Sequence, residues 1–140
     1  MILLDTNVVS EVMRPEPSTR VIDWLNHQRV VHLHLFAISV AEIEFGIDVL
    51  PAGRRRQTLR TRFEEFLRHA FSNRIVPFDE RAAHLYGPMM GECRRAGRPA
   101  STLDGQIAAI ARDRGMAVAT RNTSDFQDFG LDLIDPWDFA

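Results

Sequence analysis

The chain has 140 residues, 45% of them hydrophobic, and a net charge of −2, which fits one domain with its own core and excludes a disordered chain. The single cysteine, Cys93, excludes a disulfide framework and a cysteine-based zinc site, and the absence of lysine among the 17 basic residues excludes a Walker-type phosphate loop and a Schiff-base lysine. No apolar run approaches the roughly 20 residues of a membrane span, so a cytoplasmic protein without membrane contact is expected.

The predicted elements alternate between strand and helix. In chain order they are a strand over 2–5, a helix over 18–27, a strand over 30–36, helices over 39–50 and 54–71, a strand over 74–78, helices over 79–97 and 101–114, and strands over 116–120 and 131–134. This alternation predicts an α/β fold with a parallel sheet and helices on both faces. In such sheets, ligands bind outside the carboxyl ends of the strands, where the strand order reverses.

Four acidic residues map to that predicted edge. Asp5 closes the first strand, and Asp125 follows the strand over 116–120. Glu42 and Asp104 each lie three residues after a serine, which predicts a place in the first turn of a helix that begins at the same edge. Because serine followed three residues later by an acid is also a capping box, each of these two acids could serve only as a helix cap. The set of four favours a shared site.

A group of carboxylates has a physical requirement. Carboxylates held close together repel one another and take up protons unless a cation lies among them. Magnesium prefers oxygen ligands and usually keeps several waters. One or two such ions can activate a water and stabilise the leaving oxygen of a phosphodiester. The four acids therefore predict a divalent metal site for phosphodiester hydrolysis.

Five motifs, in order over almost the whole chain, resemble those of the PIN-domain family. They are Met1-Ile-Leu-Leu-Asp5-Thr6-Asn7-Val8, Ser39-Val-Ala-Glu42-Ile-Glu-Phe-Gly46, Asp104-Gly-Gln-Ile-Ala-Ala109, Ala119-Thr120-Arg121-Asn122-Thr-Ser-Asp125-Phe126 and Ile134-Asp-Pro-Trp137. The chain is most similar to the VapC-type toxins, especially their FitB-like branch. The resemblance implies a single PIN domain over residues 1–140, an α/β/α sandwich around a parallel sheet of about five strands.

The same resemblance implies an activity and partners. It implies a Mg²⁺-dependent endoribonuclease, with Mn²⁺ as a possible substitute, that acts as the toxin of a toxin–antitoxin pair. It implies a small antitoxin whose C-terminal arm blocks the active site. Homodimers and hetero-oligomers with the antitoxin are expected, and operator DNA is contacted only through the antitoxin.

The resemblance also assigns site residues. Asp5, Glu42 and Asp104 fall on the acids of the family pattern. At the fourth position Thr-Arg is followed by Asn122, and the acid comes three residues later as Asp125, so either or both could face the metal; Asp125 is favoured as the outer carboxylate.

Further polar and basic residues are expected around these acids. The supporting polar groups would be Thr6, Asn7, Thr120 and Asn122. The possible RNA contacts are Arg94, Arg95, Arg98 and Arg121, of which the first three precede the helix of Asp104. The run 54–56 is all arginine and could contact RNA phosphates or an acidic partner, although a solvated helix start is the simpler interpretation.

Two other functions fit part of the pattern. A haloacid-dehalogenase-like phosphotransferase also begins with an apolar strand that ends in Asp. It needs a second acid at the position of Asn7 and a basic residue, usually lysine, that this chain lacks. A non-catalytic PIN-like module that binds RNA or a partner would keep the fold without turnover, but the presence of all four acids argues against it.

Overall fold

The computed structural model describes residues 1–140 and contains five strands and six α-helices. The strands are β1 (Ile2–Leu4), β2 (Leu33–Phe36), β3 (Ile75–Val76), β4 (Ala117–Ala119) and β5 (Leu133–Ile134). The helices are α1 (Thr6–Val12), α2 (Thr19–Asn26), α3 (Ala37–Asp48), α4 (Arg54–Ala70), α5 (Glu80–Arg95) and α6 (Thr102–Arg114). Short 3₁₀ turns occupy Val30–His32, Thr123–Asp125, Gln127–Phe129 and Pro136–Asp138. None of the helices combines the length and apolarity of a membrane span.

All five strands are parallel, in the order β3-β2-β1-β4-β5. The central strand β1 pairs with β2 on one side and with β4 on the other, so that Ile2 lies opposite both Leu33 and Ala117. The chain builds one half of the sheet first and then crosses to the other, and the strand order reverses between β1 and β4. The prediction of an α/β fold with a parallel sheet is confirmed.

Two helical layers cover the two faces of the sheet. Leu3 points into a core that includes Met89 of α5 and Ile107 of α6. Its neighbour Leu4 points the other way, into a core that includes Phe63 of α4 and residues of α1, α2 and α3. Because successive strand residues face opposite sides, a strand buried on both faces reads as an unbroken apolar run. The layers form the expected α/β/α sandwich.

The sequence pattern predicts no helix between residues 5 and 18, yet α1 occupies part of this range. Asp5 is its N-cap, and the carboxylate accepts the backbone N–H of Thr6. Val8 and Val9 are fully buried in the core beneath it. A seven-residue helix with two valines has little intrinsic stability, so burial of this face and the cap decide its conformation.

The predicted capping box at Ser39 and Glu42 is wrong. Helix α3 begins at Ala37, directly after β2, and no side chain caps it. Ser39 is buried inside the helix, and its hydroxyl lies 2.6 Å from that of Thr6. Glu42 therefore lies in the second turn. The serine links α1 to α3 instead of closing the end of its own helix.

The expected cap of α6 is confirmed. The Ser101 hydroxyl accepts the backbone N–H of Asp104 at 3.1 Å, which places Asp104 in the first turn. Gly115 ends the helix in the left-handed conformation with φ of 65°, as its C′ position predicts. Asp104 is thus fixed at the edge of the sheet where β1 and β4 end.

Candidate active site

The centre of the site is the junction of the ends of β1 and β4. The backbone N–H of Asp5 donates to the carbonyl of Ala119 at 2.9 Å, which extends the strand pairing by one residue. The Thr120 hydroxyl donates to Oδ2 of Asp5 at 2.7 Å, and the Thr6 backbone N–H donates to Oδ1 at 2.8 Å. Each carboxylate oxygen of Asp5 has one fixed donor, so the orientation of the side chain is set.

Burial and like charges act on the Asp5 carboxylate. Its residue is only 6% exposed, and this burial raises its pKa above the ordinary value of 3.8. The hydrogen bonds from Thr120 and Thr6 lower the pKa, whereas the negative charges of Asp104 and Glu42 raise it further. The balance is a raised pKa, because burial outweighs the two donors. A carboxylate in this position is stabilised when it binds a proton or when a cation lies beside it.

A cavity of about 430 Å³ opens over Asp5. The predicted residues that line it are Asp5, Asp104, Thr6, Asn7, Arg121 and Asn122. No histidine or cysteine lines this cavity. Its donors are carboxylate, hydroxyl and amide oxygens, which is the set that suits Mg²⁺ or Mn²⁺ better than a softer metal.

The Thr120 hydroxyl is the hub of a polar network. It accepts the backbone N–H of Asn122 at 3.0 Å and the side-chain amide of Asn7 at 3.4 Å. The Asn7 side-chain oxygen in turn accepts the backbone N–H of Arg121 at 3.4 Å. Because these neighbours are donors, the proton of Thr120 points to Asp5. The network ties the loop after β4 to the start of α1.

Asp104 lies between two cavities. It is half-buried, and burial raises its pKa, with a further increase from the negative charge of Asp125; its hydrogen bond with Ser101 lowers it. Asp125 does not line the cavity over Asp5. It lines a neighbouring cavity of about 390 Å³, and Asp104 forms part of the walls of both. The two candidates for the fourth position therefore line different cavities. Asn122 lines the cavity over Asp5, and Asp125 lines the neighbouring cavity.

Glu42 is exposed on α3 and lines a third space, a groove of about 790 Å³ between α1, α3 and α4. The groove shares Thr6, Ser10 and Arg14 with the cavity over Asp5. In the side-chain positions of the structure, no three His, Cys, Asp or Glu side chains lie together as a ready set of metal ligands. The four acids adjoin one another around Asp5 and Asp104 but do not point into one pocket.

The predicted basic contacts fall into two groups. Arg121 lines the cavity over Asp5, with its guanidinium carbon 5.1 Å from the centre of the Trp137 ring. Arg98 forms an ion pair with Asp128 at 3.1 Å beside the cavity of Asp125. The remaining two, Arg94 and Arg95, are exposed in the last turn of α5 and line neither cavity.

Glu11 and Arg14 also line the cavity over Asp5, although neither is among the site residues predicted from the sequence. Glu11 is in α1, and Arg14 follows two residues after the helix ends. A signal was present, since an acid and a base three residues apart face each other on a helix. It could be used only after a helix had been assigned there.

Comparisons with known proteins identify the family of this chain. The profile of the PIN domain family matches residues 2–130. The chain is 43% identical over 140 residues to a VapC ribonuclease, Y4jK, from Sinorhizobium fredii, with all of both chains covered. It is 39% identical over 137 residues to toxin FitB from Neisseria gonorrhoeae, which covers 98% of this chain and 99% of that protein.

A solved structure of FitAB bound to an IR36 DNA fragment contains a similar chain. The TM-score is 0.94 at 38% identity, and the match covers 100% of this chain and 98% of the other. The shared architecture and the identity over full length lead to one conclusion: this chain belongs to the PIN-domain family.

Proposed function

We propose that this chain is a Mg²⁺- or Mn²⁺-dependent endoribonuclease that acts as the toxin of a toxin–antitoxin pair. The observation that carries the proposal is the buried Asp5 carboxylate at the reversal of strand order, with Asp104 and Glu42 near enough to raise its pKa. The activity in the name of the Sinorhizobium relative and the word toxin in that of the Neisseria relative support this class of function.

The residues present fit a hard divalent cation. Asp5 and Asp104 share a cavity whose donors are all oxygen, and both have raised pKa values in the absence of a cation. Magnesium commonly binds through one or two carboxylates and keeps its other waters, so a closed cage of protein ligands is not required. Asp5 and Asp104 would hold the ion, and Glu42 and Asp125 would act from the adjoining spaces.

When bound, the ion supplies a water of lowered pKa and positive charge near the leaving oxygen of the phosphodiester. The chain supplies orientation. Thr120 and Thr6 fix the two oxygens of Asp5, and Ser101 fixes the helix start that carries Asp104. Thr6 follows β1 and Thr120 follows β4, so small shifts between these two strands would change the geometry of the Asp5 carboxylate.

An RNA strand brings its own negative charge to this acidic cavity. Arg121 lines the cavity and is held by its contact with Trp137, which makes it the better placed of the predicted contacts. Arg94 and Arg95 would act only at longer range. Arg98 would have to exchange its bond with Asp128 for a phosphate.

The antitoxin arm is proposed to lie in the groove that Glu42 lines. Apolar residues Ile43, Ile47, Leu50 and Leu59 line this groove, together with Arg54, Arg55 and Arg62. An amphipathic segment with acidic side chains complements such a surface. The groove adjoins the cavity over Asp5, so a bound arm could reach and block it. A FitAB-like assembly would contact operator DNA through the antitoxin, with homodimers of this chain in the complex.

Asn7 argues against the phosphotransferase alternative. Its amide donates to Thr120 and its oxygen accepts from the backbone of Arg121, a structural role without a proton to transfer. The non-catalytic alternative differs because it predicts RNA binding without turnover.

The test is cleavage of total cellular RNA and of single-stranded oligonucleotides by the purified chain. We expect cleavage with Mg²⁺ or Mn²⁺, none in EDTA, and recovery when the metal is returned. Asp132→Asn, an exposed acid outside the site, should cleave like wild type. Cleavage that persists in EDTA would overturn the metal requirement. RNA that binds without being cut would favour the non-catalytic module.

A further inference from the structure

Glu11 is an unusual carboxylate in this protein. It is 5% exposed and is one of two buried acids, together with Asp5. Glutamate is rarely buried unless it is paired, because removal of a charge from water is costly. Glu11 lies in the wall of the cavity over Asp5, where it adds negative charge to an acidic site. Its burial therefore calls for a compensating group.

Arg14 is that group. Its Nη1 lies 3.4 Å from both carboxylate oxygens of Glu11. The Arg14 backbone N–H also donates to the Glu11 carbonyl at 3.2 Å, and the Ser18 backbone N–H donates to Glu11 Oε2 at 3.3 Å. Backbone and side chain thus hold Arg14 against Glu11. The Arg14 side chain nevertheless remains 64% exposed, so its other guanidinium donors face outward.

Arg14 occupies a border position. It lines the cavity over Asp5 and also the groove that Glu42 lines. Arg14 and Arg121 are the only basic residues that line that cavity, and each is held by a partner, Glu11 in one case and the Trp137 ring in the other. Two fixed guanidinium groups next to an acidic centre suit a site that binds both an RNA strand and a metal ion. The guanidinium groups bind phosphates, and the carboxylates bind the metal.

We propose that Arg14 binds a phosphate of the RNA at the rim of the cavity over Asp5, and that the buried carboxylate of Glu11 positions its guanidinium there. This inference rests on the proposed ribonuclease function. Arg14 is a substrate-binding residue and Glu11 is a positioning residue that acts through it. Neither was among the expected site residues.

An acidic segment of a protein partner is the competing ligand for Arg14. The groove already has three further arginines, Arg54, Arg55 and Arg62, that could serve acidic side chains. The cavity over Asp5 has only Arg121 besides Arg14. A polyanion that approaches the carboxylates enters the cavity over Asp5, so positive charge is needed more there than in the groove. This favours the RNA phosphate as the ligand of Arg14.

The experiment measures RNA binding separately from cleavage. In an Asp104→Asn background, which is expected to slow RNA cleavage strongly, fluorescence anisotropy of a 5′-fluorescein-labelled single-stranded RNA is followed with Mg²⁺ at several salt concentrations. Arg14→Gln, Arg14→Lys and Glu11→Gln are compared with Arg29→Gln, a control at an exposed arginine outside the cavity and the groove.

We expect Arg14→Gln to weaken binding about tenfold and to reduce the slope of log Kd against log salt by about 1. Arg14→Lys should keep most of that slope, because the charge remains. Glu11→Gln still accepts the Ser18 N–H but no longer holds Arg14 by charge, so it should weaken binding less than Arg14→Gln and in the same direction. Arg29→Gln should match the parent.

Several results would overturn the inference. Unchanged affinity and slope in Arg14→Gln would do so, as would an equal loss in Arg29→Gln or no RNA binding by the parent. If Arg14→Gln lost binding to a poly-glutamate peptide but kept its RNA binding, Arg14 would be assigned to a protein partner. Failure of the proposed function looks different: with Asp104 intact, the protein would bind RNA but not cleave it in Mg²⁺.

Discussion

The Thr120 hydroxyl lies 2.7 Å from the Asp5 carboxylate, although the two residues are 115 positions apart in the sequence. Parallel pairing of β1 with β4 brings the ends of the two strands side by side and makes this contact. The hydroxyl also accepts N–H groups from Asn7 and Asn122, so one small side chain joins the first and the fourth of the five sequence motifs.

Thr120→Val removes this hydroxyl with little change in shape. The Asp5 pKa should rise further, because the hydrogen bond from Thr120 lowers it. Stability should fall by about 1–2 kcal/mol, since buried polar groups lose their partner. The acidic limb of the pH–activity profile should move to higher pH. Thr61→Val, at an exposed position of α4, is the control, and an unchanged profile in Thr120→Val would contradict the assigned role.

Asp104→Asn should reduce RNA cleavage by at least about 100-fold, the upper end of the effect of removing a residue that only supports a metal ligand. The fold should persist, because the Ser101 cap uses the Asp104 backbone N–H. Without metal, the melting temperature should be equal or slightly higher, since a charge repelled by Asp125 is gone. Asp132→Asn is again the control. Equal cleavage by both variants would point to a contaminating nuclease.

The raised pKa of Asp5 fixes the sign of a pH effect on stability. The folded state holds its proton to higher pH than the unfolded chain, whose value is near 3.8. The contribution of Asp5 to the free energy of unfolding is therefore fully present below the unfolded-state pKa of about 3.8. It is lost as the pH rises through the raised pKa of the folded state. In EDTA, wild type should gain stability relative to Asp5→Asn as the pH falls from neutral.

Mg²⁺ should stabilise the folded protein by binding the same carboxylate in its ionised form. At neutral pH it should raise the melting temperature of wild type, because it binds the ionised folded protein, and should have little effect on Asp5→Asn. Chemical unfolding at a series of pH values, with and without Mg²⁺, checks both statements. A stability difference between the two proteins that does not change with pH would contradict the effect of burial.

Gly105 follows Asp104 where α6 packs on α5. A Cβ at this position would overlap Sδ of Met90 and lie 2.9 Å from Cε2 of Tyr86. Alanine is the better helix former by roughly 1 kcal/mol, but the crowding should outweigh this, with a net loss of about 1–2 kcal/mol. Gly46→Ala in α3, where nothing lies within 4 Å of the added Cβ, should instead be neutral or stabilising.

Expression of the wild-type chain alone should slow the growth of its host, whereas Asp104→Asn at the same level should not. Relief by the small reading frame next to its gene would identify the antitoxin. Growth curves with immunoblots to match expression provide the measurement. Normal growth with abundant wild-type protein would count against the toxin role.

Some features could be predicted because their cause is local. The parallel strands are buried on both faces and read as apolar runs, and Asp5 and Asp104 follow from a strand end and a helix cap. Helix α1 could not be predicted, since Val8 and Val9 become helical only when the core covers them.

The place of Glu42 depends on a long-range contact. Helix α3 starts at the end of β2, and Ser39 bonds with Thr6 across the gap between two helices. Serine three residues before an acid looks the same in sequence whether it caps its own helix or contacts another one. The partition of the acids among three adjoining spaces is therefore visible only in three dimensions.

The central position of β1 has a consequence for the timing of synthesis. One neighbour of β1 is residues 117–119, more than 100 positions later in the chain, and Thr120 follows directly. A nascent or prematurely terminated polypeptide that stops before this point has an open edge along β1 and no hydroxyl to hold Asp5. The polar centre around Asp5 can therefore assemble only after residue 120 has been added to the chain.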